Sequence, residues 1–164
     1  MGYRSKIVRA SFTTGNGTYN AGVPVAAEVR LPAALPADRS AGAVLRKVVI
    51  STDNGAYGPF RLVILSDRTG ATAGASFGPS PDILLATVSV PYDDQSPPSP
   101  WKAFGTTDCY EYSVDTWFAL RSDTAEGTAG RAPGDLWLVV LSDASGLSGG
   151  GLTFTVTLGI EIPD

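Results

Sequence analysis

The chain has 164 residues, a formal net charge of −4, no histidine and one cysteine, Cys109. A zinc site of His and Cys ligands and an internal disulfide are therefore excluded, as is the basic footprint of a nucleic-acid binder. The length suits one domain that can bury roughly 70% of the surface exposed by its unfolded form. No run approaches the about eighteen apolar residues of a membrane helix, and the first nine residues carry Arg4, Lys6 and Arg9 without the apolar core of a signal peptide. The expectation is a soluble protein without a membrane partner or a secretion signal.

In chain order, eight strands are expected, near residues 5–12, 23–31, 43–51, 60–66, 83–90, 110–121, 136–142 and 152–162. A short N-terminal arm, about 1–5, precedes the first. In that first strand Val8, Ala10 and Phe12 alternate with Ile7, Arg9 and Ser11, the two-residue period of a strand buried on one side. The stretch 32–39 has two prolines in its interior and reads as an irregular connection. Residues 60–65 and 136–141 are nearly continuous apolar runs, as strands covered on both faces require. Both are followed by Ser-Asp and a glycine turn, an echo too short to indicate a duplication. The last strand is the clearest. Leu152, Phe154, Val156, Leu158, Ile160 and Ile162 alternate with Thr153, Thr155, Thr157, Gly159 and Glu161, so a slip of one residue would reverse its faces.

Turn residues fall between these runs, including Gly15-Asn16-Gly17, Asp53-Asn54-Gly55, Gly78-Pro79-Ser80-Pro81 and Pro133-Gly134-Asp135. Helix is scarcely encoded. Short strands divided by Gly/Pro turns predict an all-β, single-domain antiparallel β-sandwich, jelly-roll-like, of about eight strands.

No constellation for catalysis stands out. Without histidine a nucleophile lacks its usual base, and only a Ser–Lys arrangement with Lys6, Lys47 or Lys102 remains formally open. Asp93, Asp94, Glu111 and Asp115 read as solvated turn and strand carboxylates, and they lack the spacing of a calcium loop. Gly146-Leu147-Ser148-Gly149-Gly150-Gly151 lacks the Lys and the helix of a phosphate loop and reads as a flexible hairpin. No enzyme activity, cofactor or metal is expected, and Cys109 reads as a small packed hydrophobe.

Aromatic residues gather around the long connection 91–108: Tyr92, Trp101, Phe104, Tyr110, Tyr112 and Trp117. Two roles fit them, an interface anchor or a cover for one end of the sandwich. Trp117, Phe118 and Leu120 follow a strand pattern that points to the core. Tyr3, Arg4, Tyr92, Trp101 and Phe104 are the candidate partner-binding residues. As an anchor, Trp101 would weaken binding when cut to alanine and leave the monomer's stability almost unchanged.

Four segments carry a resemblance: Val8-Arg9-Ala10-Ser11-Phe12-Thr13, Thr18-Tyr19-Asn20-Ala21-Gly22-Val23, Leu45-Arg46-Lys47-Val48-Val49-Ile50-Ser51 and Phe60-Arg61-Leu62-Val63-Ile64-Leu65. With the later strand 136–141, they make the chain similar to the phage head decoration, or capsid cement, proteins. Val23 departs from the pattern, standing where the family turn often has Asp. The resemblance implies no catalytic residues. It implies a β-sandwich on the outer surface of the virion capsid that binds the major capsid protein, bridges capsomers and acts as a homo-oligomer, with a trimer the expected form. The aromatic loop keeps a second reading open, a carbohydrate-binding or receptor-binding module of a tail fibre.

Overall fold

The computed structural model describes residues 2–32, 43–53, 58–92, 101–118 and 135–163. Their main elements are strands β1 (Tyr3–Thr13), β2 (Thr18–Tyr19), β3 (Val29–Leu31), β4 (Ala43–Thr52), β5 (Phe60–Leu65), β6 (Leu84–Val90), β7 (Lys102–Phe104), β8 (Thr107–Phe118), β9 (Leu136–Ser142), β10 (Leu147–Ser148) and β11 (Thr153–Pro163). A five-stranded antiparallel sheet, β1-β11-β4-β8-β7, faces a four-stranded one, β3-β9-β5-β6, and β2 pairs with β10 at one end. The fold is an antiparallel β-sandwich, as the turn-punctuated sequence predicts.

Alternation decides which side chains enter the core. Val8 and Phe12 of β1, and Phe154, Val156, Leu158, Ile160 and Ile162 of β11, are buried between the sheets, whereas the intervening residues face outward. The β1–β11 register runs unbroken from Tyr3↔Pro163 to Thr13↔Thr153. It sets Phe12 beside Phe154, their rings stacked at 5.1 Å, and Phe60 of the opposite sheet meets both edge-on at 6.3 and 5.3 Å. Such pairs contribute roughly 0.5–1.5 kcal/mol beyond their buried area. The trio thus ties the two sheets together.

β4 changes parity midway. Ala43 and Leu45 are buried before Arg46, and Val48 and Ile50 after it. The registers with β11 and β8 both skip Arg46, so this residue is a β-bulge and both Arg46 and Lys47 can face outward. Its guanidinium then reaches across the strand, Nη1 donating to Asp115 Oδ1 at 2.6 Å and Nε to Glu161 Oε2 at 2.8 Å. The hydrogen bond that Arg46 donates to Glu161, followed by the charges of Asp115 and Glu161, holds the Arg46 pKa above the ordinary value.

β5 and β9, the strands of the sequence echo, are antiparallel neighbours at the centre of the four-stranded sheet. Phe60, Leu62 and Ile64 with Leu136, Leu138 and Val140 face the main core. Val63, Leu65, Trp137, Val139 and Leu141 form a second cluster on the outer side, covered by Ala71, Phe77 and Ile83 of the connection after β5. Coverage on both faces explains the continuous apolar runs. Glu28 fastens this connection by accepting hydrogen bonds from Thr69 N at 2.7 Å and Gly70 N at 3.1 Å, and from the Thr69 hydroxyl.

Three expectations are corrected. The strand expected over 23–31 is ordered as β3 only from Val29, because Pro24 makes an isolated bridge to Leu141 and Val25 N donates to Val140 O before the regular ladder begins. The expected arm is already strand from Tyr3 onward, held by pairing to β11. The glycine-rich segment before β11 is a packed corner instead of a free hairpin. A Cβ on Gly149 would lie 2.0 Å from Gly15 O and 2.7 Å from the Tyr19 ring, and Gly149 N donates to Gly17 O. Leu120 and the Pro-rich stretch 96–100 of the long connection lie outside the described residues.

Phe154→Ala should lower stability by about 3–5 kcal/mol, the range for buried aromatic truncation, while Thr155→Ala on the outer face should cost less than about 1 kcal/mol. Urea unfolding of the two variants measures the difference, and equal losses would place the wrong face of β11 in the core.

Candidate docking surface

Successive residues on a strand face opposite ways, so the positions of Tyr3, Arg4 and Phe104 follow from register. Val8 and Phe12 point inward; Tyr3 and Ile7, of the opposite parity, therefore share the outer face of the five-stranded sheet, and Arg4 stands on the alternate one. In β7, Phe104 pairs with Thr107 across the turn at Gly105, whose φ of 68° suits glycine. Tyr110 and Val114 pack on the core, so the odd-numbered positions of β8, and Phe104 with them, face outward. Tyr3 and Phe104 thus occupy the same surface at diagonally opposite corners: four strand spacings of ~4.8 Å separate them across the sheet, and the registers put Tyr3 beyond the Ala43 end of β4 and Phe104 beyond its Thr52 end. They do not form one cluster.

Between them the surface is flat and polar. The Ser11 and Thr155 hydroxyls lie 3.3 Å apart, and those of Thr13 and Thr153 lie 2.9 Å apart. Ile7 is 66% exposed and pairs in register with Gly159, which has no side chain to shield it. Lys47 Nζ stands 2.5 Å from Glu111 Oε1, and this hydrogen bond and charge hold the Glu111 carboxyl below the usual range. Beside this pair, Lys102, Phe104, Cys109, Glu111 and Ser113 line a shallow depression of about 320 Å³. Burial, followed by the charges of Asp108, Asp53 and Glu111, pushes the Cys109 thiol pKa up.

Trp101 belongs to the core. It is 5% exposed, its indole Nε1 donates to Pro91 O at 2.9 Å, and its ring lies 5.8 Å from that of Tyr110. The expected surface anchor is corrected to a cover: the four-stranded sheet ends at β6, and Trp101 packs on the core beside the inward face of β8. Tyr110 and Tyr112, two residues apart on that strand, carry rings 6.4 Å apart and within 22° of parallel, with Tyr112 41% exposed. Burial, then the neighbouring Tyr112, raises the Tyr110 pKa. Tyr92 is exposed just past β6.

Ile7 was placed outward by its alternation, yet nothing in the sequence distinguishes an outward isoleucine on a bare face from one beneath a loop. The Tyr110–Tyr112 pair is marked by two-residue spacing, but its partial exposure depends on where the opposite sheet stops. Among the described residues no group of three or more His, Cys, Asp or Glu side chains is placed to hold a metal ion. Glu111 and Asp115, which the sequence offers as acids, are each joined to a cation across the sheet. Asp93 and Asp94 lie outside the described residues, as does Ser99, which stands three positions before Lys102 in the sequence of the Ser–Lys type.

No protein-family model matches this chain, and no curated protein matches it.

Two outcomes are expected from these placements. Trp101→Ala should destabilise the isolated protein by about 3–5 kcal/mol, as truncation of a buried aromatic does, and thermal or urea unfolding will register it. Iodoacetamide should modify folded Cys109 more slowly than a free cysteine at the same pH, because burial raises the thiol pKa and leaves a smaller thiolate fraction; the rate should approach that of the free thiol when the protein is unfolded.

Proposed function

We propose that the protein is a non-catalytic phage capsid decoration protein that binds the major capsid protein on the outer surface of the head and bridges capsomers as a homo-oligomer. The observation that carries the reading is the unequal treatment of the two sheet faces. The four-stranded sheet has its outer side closed by Ala71, Phe77 and Ile83, whereas the outer side of the five-stranded sheet presents Tyr3, Ile7 and Phe104. A face of this kind, with apolar side chains standing over a flat polar sheet, suits a protein partner.

Strand order supports a jelly-roll assignment. Strands of the two main sheets pair as nested hairpins, β1 with β11, β3 with β9, β4 with β8 and β5 with β6, and successive pairs alternate between the two sheets. Jelly rolls recur in viral capsid domains and in lectins. That fold alone does not select a function; the resemblance of residues 8–13, 18–23, 45–51 and 60–65 to decoration proteins gives the capsid reading its weight. A repeating shell offers many copies of one site, so modest contacts by an oligomer accumulate into firm retention.

A second reading rests on one observation, the nearly parallel rings of Tyr110 and Tyr112. Such rings can stack on sugars, as a tail-fibre carbohydrate module would require. Cosedimentation with mature capsids and a glycan-array screen separate the two. The capsid reading expects stoichiometric retention on capsids, weakened by about tenfold or more in Phe104→Ala if that ring is a contact anchor, with unfolding unchanged. Glycan binding lost in Tyr112→Ala, without capsid retention, would replace it.

A further inference from the structure

We infer that a cavity in the connection between β5 and β6 binds an apolar carboxylate, a short aromatic or hydrocarbon group ending in a carboxyl. The inference goes beyond the capsid reading and can fail separately from it. The cavity lies in the layer that covers the outer side of the four-stranded sheet, whereas the capsid reading uses the outer side of the five-stranded one. Residues 66–83 form this connection, which exceeds the about 12–15 residues beyond which a loop without strands of its own ordinarily has a function. The cavity has a volume of about 370 Å³, within the size range of small-molecule sites, and its lining includes the exposed Arg68, Thr69 and Ser76.

Its walls are fixed by the fold. On one side Glu28 accepts hydrogen bonds from Thr69 N, Gly70 N and the Thr69 hydroxyl, while Glu28 N donates to Ala71 O at 2.9 Å. On the other, Gly74 N donates to Pro24 O at 2.9 Å and Ala75 N to Thr72 O at 3.2 Å. Phe77 and Ile83, which line the cavity, rest on the outer apolar cluster that contains Leu65, Trp137 and Val139. A site built in advance costs less to order when a ligand enters.

Charge selects the ligand. Arg30, Arg46, Lys47 and Arg61 each meet a carboxylate, but the Arg68 guanidinium makes no ion pair or hydrogen bond among the described residues. The nearby Asp67 accepts its hydrogen bond from the Arg68 backbone N, and Glu28 is engaged by Thr69 and Gly70; neither lines the cavity, nor does any other acid among the described residues. Arg68 therefore stands beside Phe77, Pro79 and Ile83 as a cation next to an apolar wall. A carboxylate can accept a charge-assisted hydrogen bond from the guanidinium while the rest of the ligand covers the apolar side. A bare inorganic anion would leave that side wet, and a neutral hydrocarbon would leave the charge unmatched.

The test titrates the full-length protein with hydrocinnamate and follows amide chemical shifts by NMR. The expected result is saturable shifts centred on residues 68–79, with binding of the neutral hydrocinnamic amide weaker by about fivefold or more, as loss of a charge-assisted hydrogen bond requires. Arg68→Gln should weaken hydrocinnamate to the same extent with the unfolding midpoint unchanged, and Ala75→Trp, which puts a ring into the cavity, should abolish binding with Arg68 intact. The peptide Ala-Ala-Phe with a free carboxylate forms a second arm: its binding, lost in the C-terminal amide, would assign the site to a chain end, whereas binding of hydrocinnamate alone would assign it to a free acid. Equal binding of acid and amide, binding indifferent to Arg68→Gln, shifts centred elsewhere, or no saturation by ~10 mM, weaker than any specific site of this size, would overturn the inference. Inorganic phosphate shifting the same amides as strongly as hydrocinnamate would also overturn it, because the apolar side would then contribute nothing.

Discussion

The pairing of the first long strand with the last is the constraint on which the rest of the structure depends. β1 and β11 stay in register over their whole length, and this brings Phe12 and Phe154 together on one face. Phe60 meets them from the opposite sheet, so the same register that aligns two strands also joins two sheets. Moving β11 by one residue would turn Phe154, Val156, Leu158 and Ile160 toward solvent and bring threonines inward. The loss of apolar burial opposes that slip far more strongly than any single hydrogen bond supports the native register.

With the core fixed in this way, the two outer faces differ in what they can do. On the four-stranded sheet a second apolar layer over β5 and β9 is closed by the following connection, which Glu28 holds by its backbone and hydroxyl contacts to Thr69 and Gly70. On the five-stranded sheet the Arg46 bulge places a guanidinium between Asp115 and Glu161, and Lys47 meets Glu111. These exposed pairs add little to stability individually. Their consequence is that Arg46 and Lys47 are matched in the plane of the sheet, leaving Ile7, Tyr3 and Phe104 to stand above it. An external partner would therefore contact a flat field of hydroxyls with apolar points at its borders.

Much of the fold was legible because alternation is local. The last strand specified its own buried face, and the continuous apolar runs of β5 and β9 disclosed two-sided burial before any neighbour was known. The adjacent Arg46 and Lys47 in an apolar strand also carried a visible signal, since two consecutive charges can both leave the core only where a bulge changes the parity. Trp101 was different: a tryptophan in a Pro-rich connection has the same local sequence whether it anchors a partner or seals a core. Its burial depends on β6 ending the opposite sheet and on Tyr110 lying within reach. The glycines near Tyr19 likewise take their meaning from Gly15 and Gly149 meeting across more than a hundred residues of chain. The sequence by itself determined the all-β class, the inward faces and most strands, because those follow from periodicity and burial. Only the tertiary structure decided the sheet order, the exposure of Ile7 and Phe104 on one outer face and the burial of Trp101, because each depends on which distant segments meet and where a sheet stops.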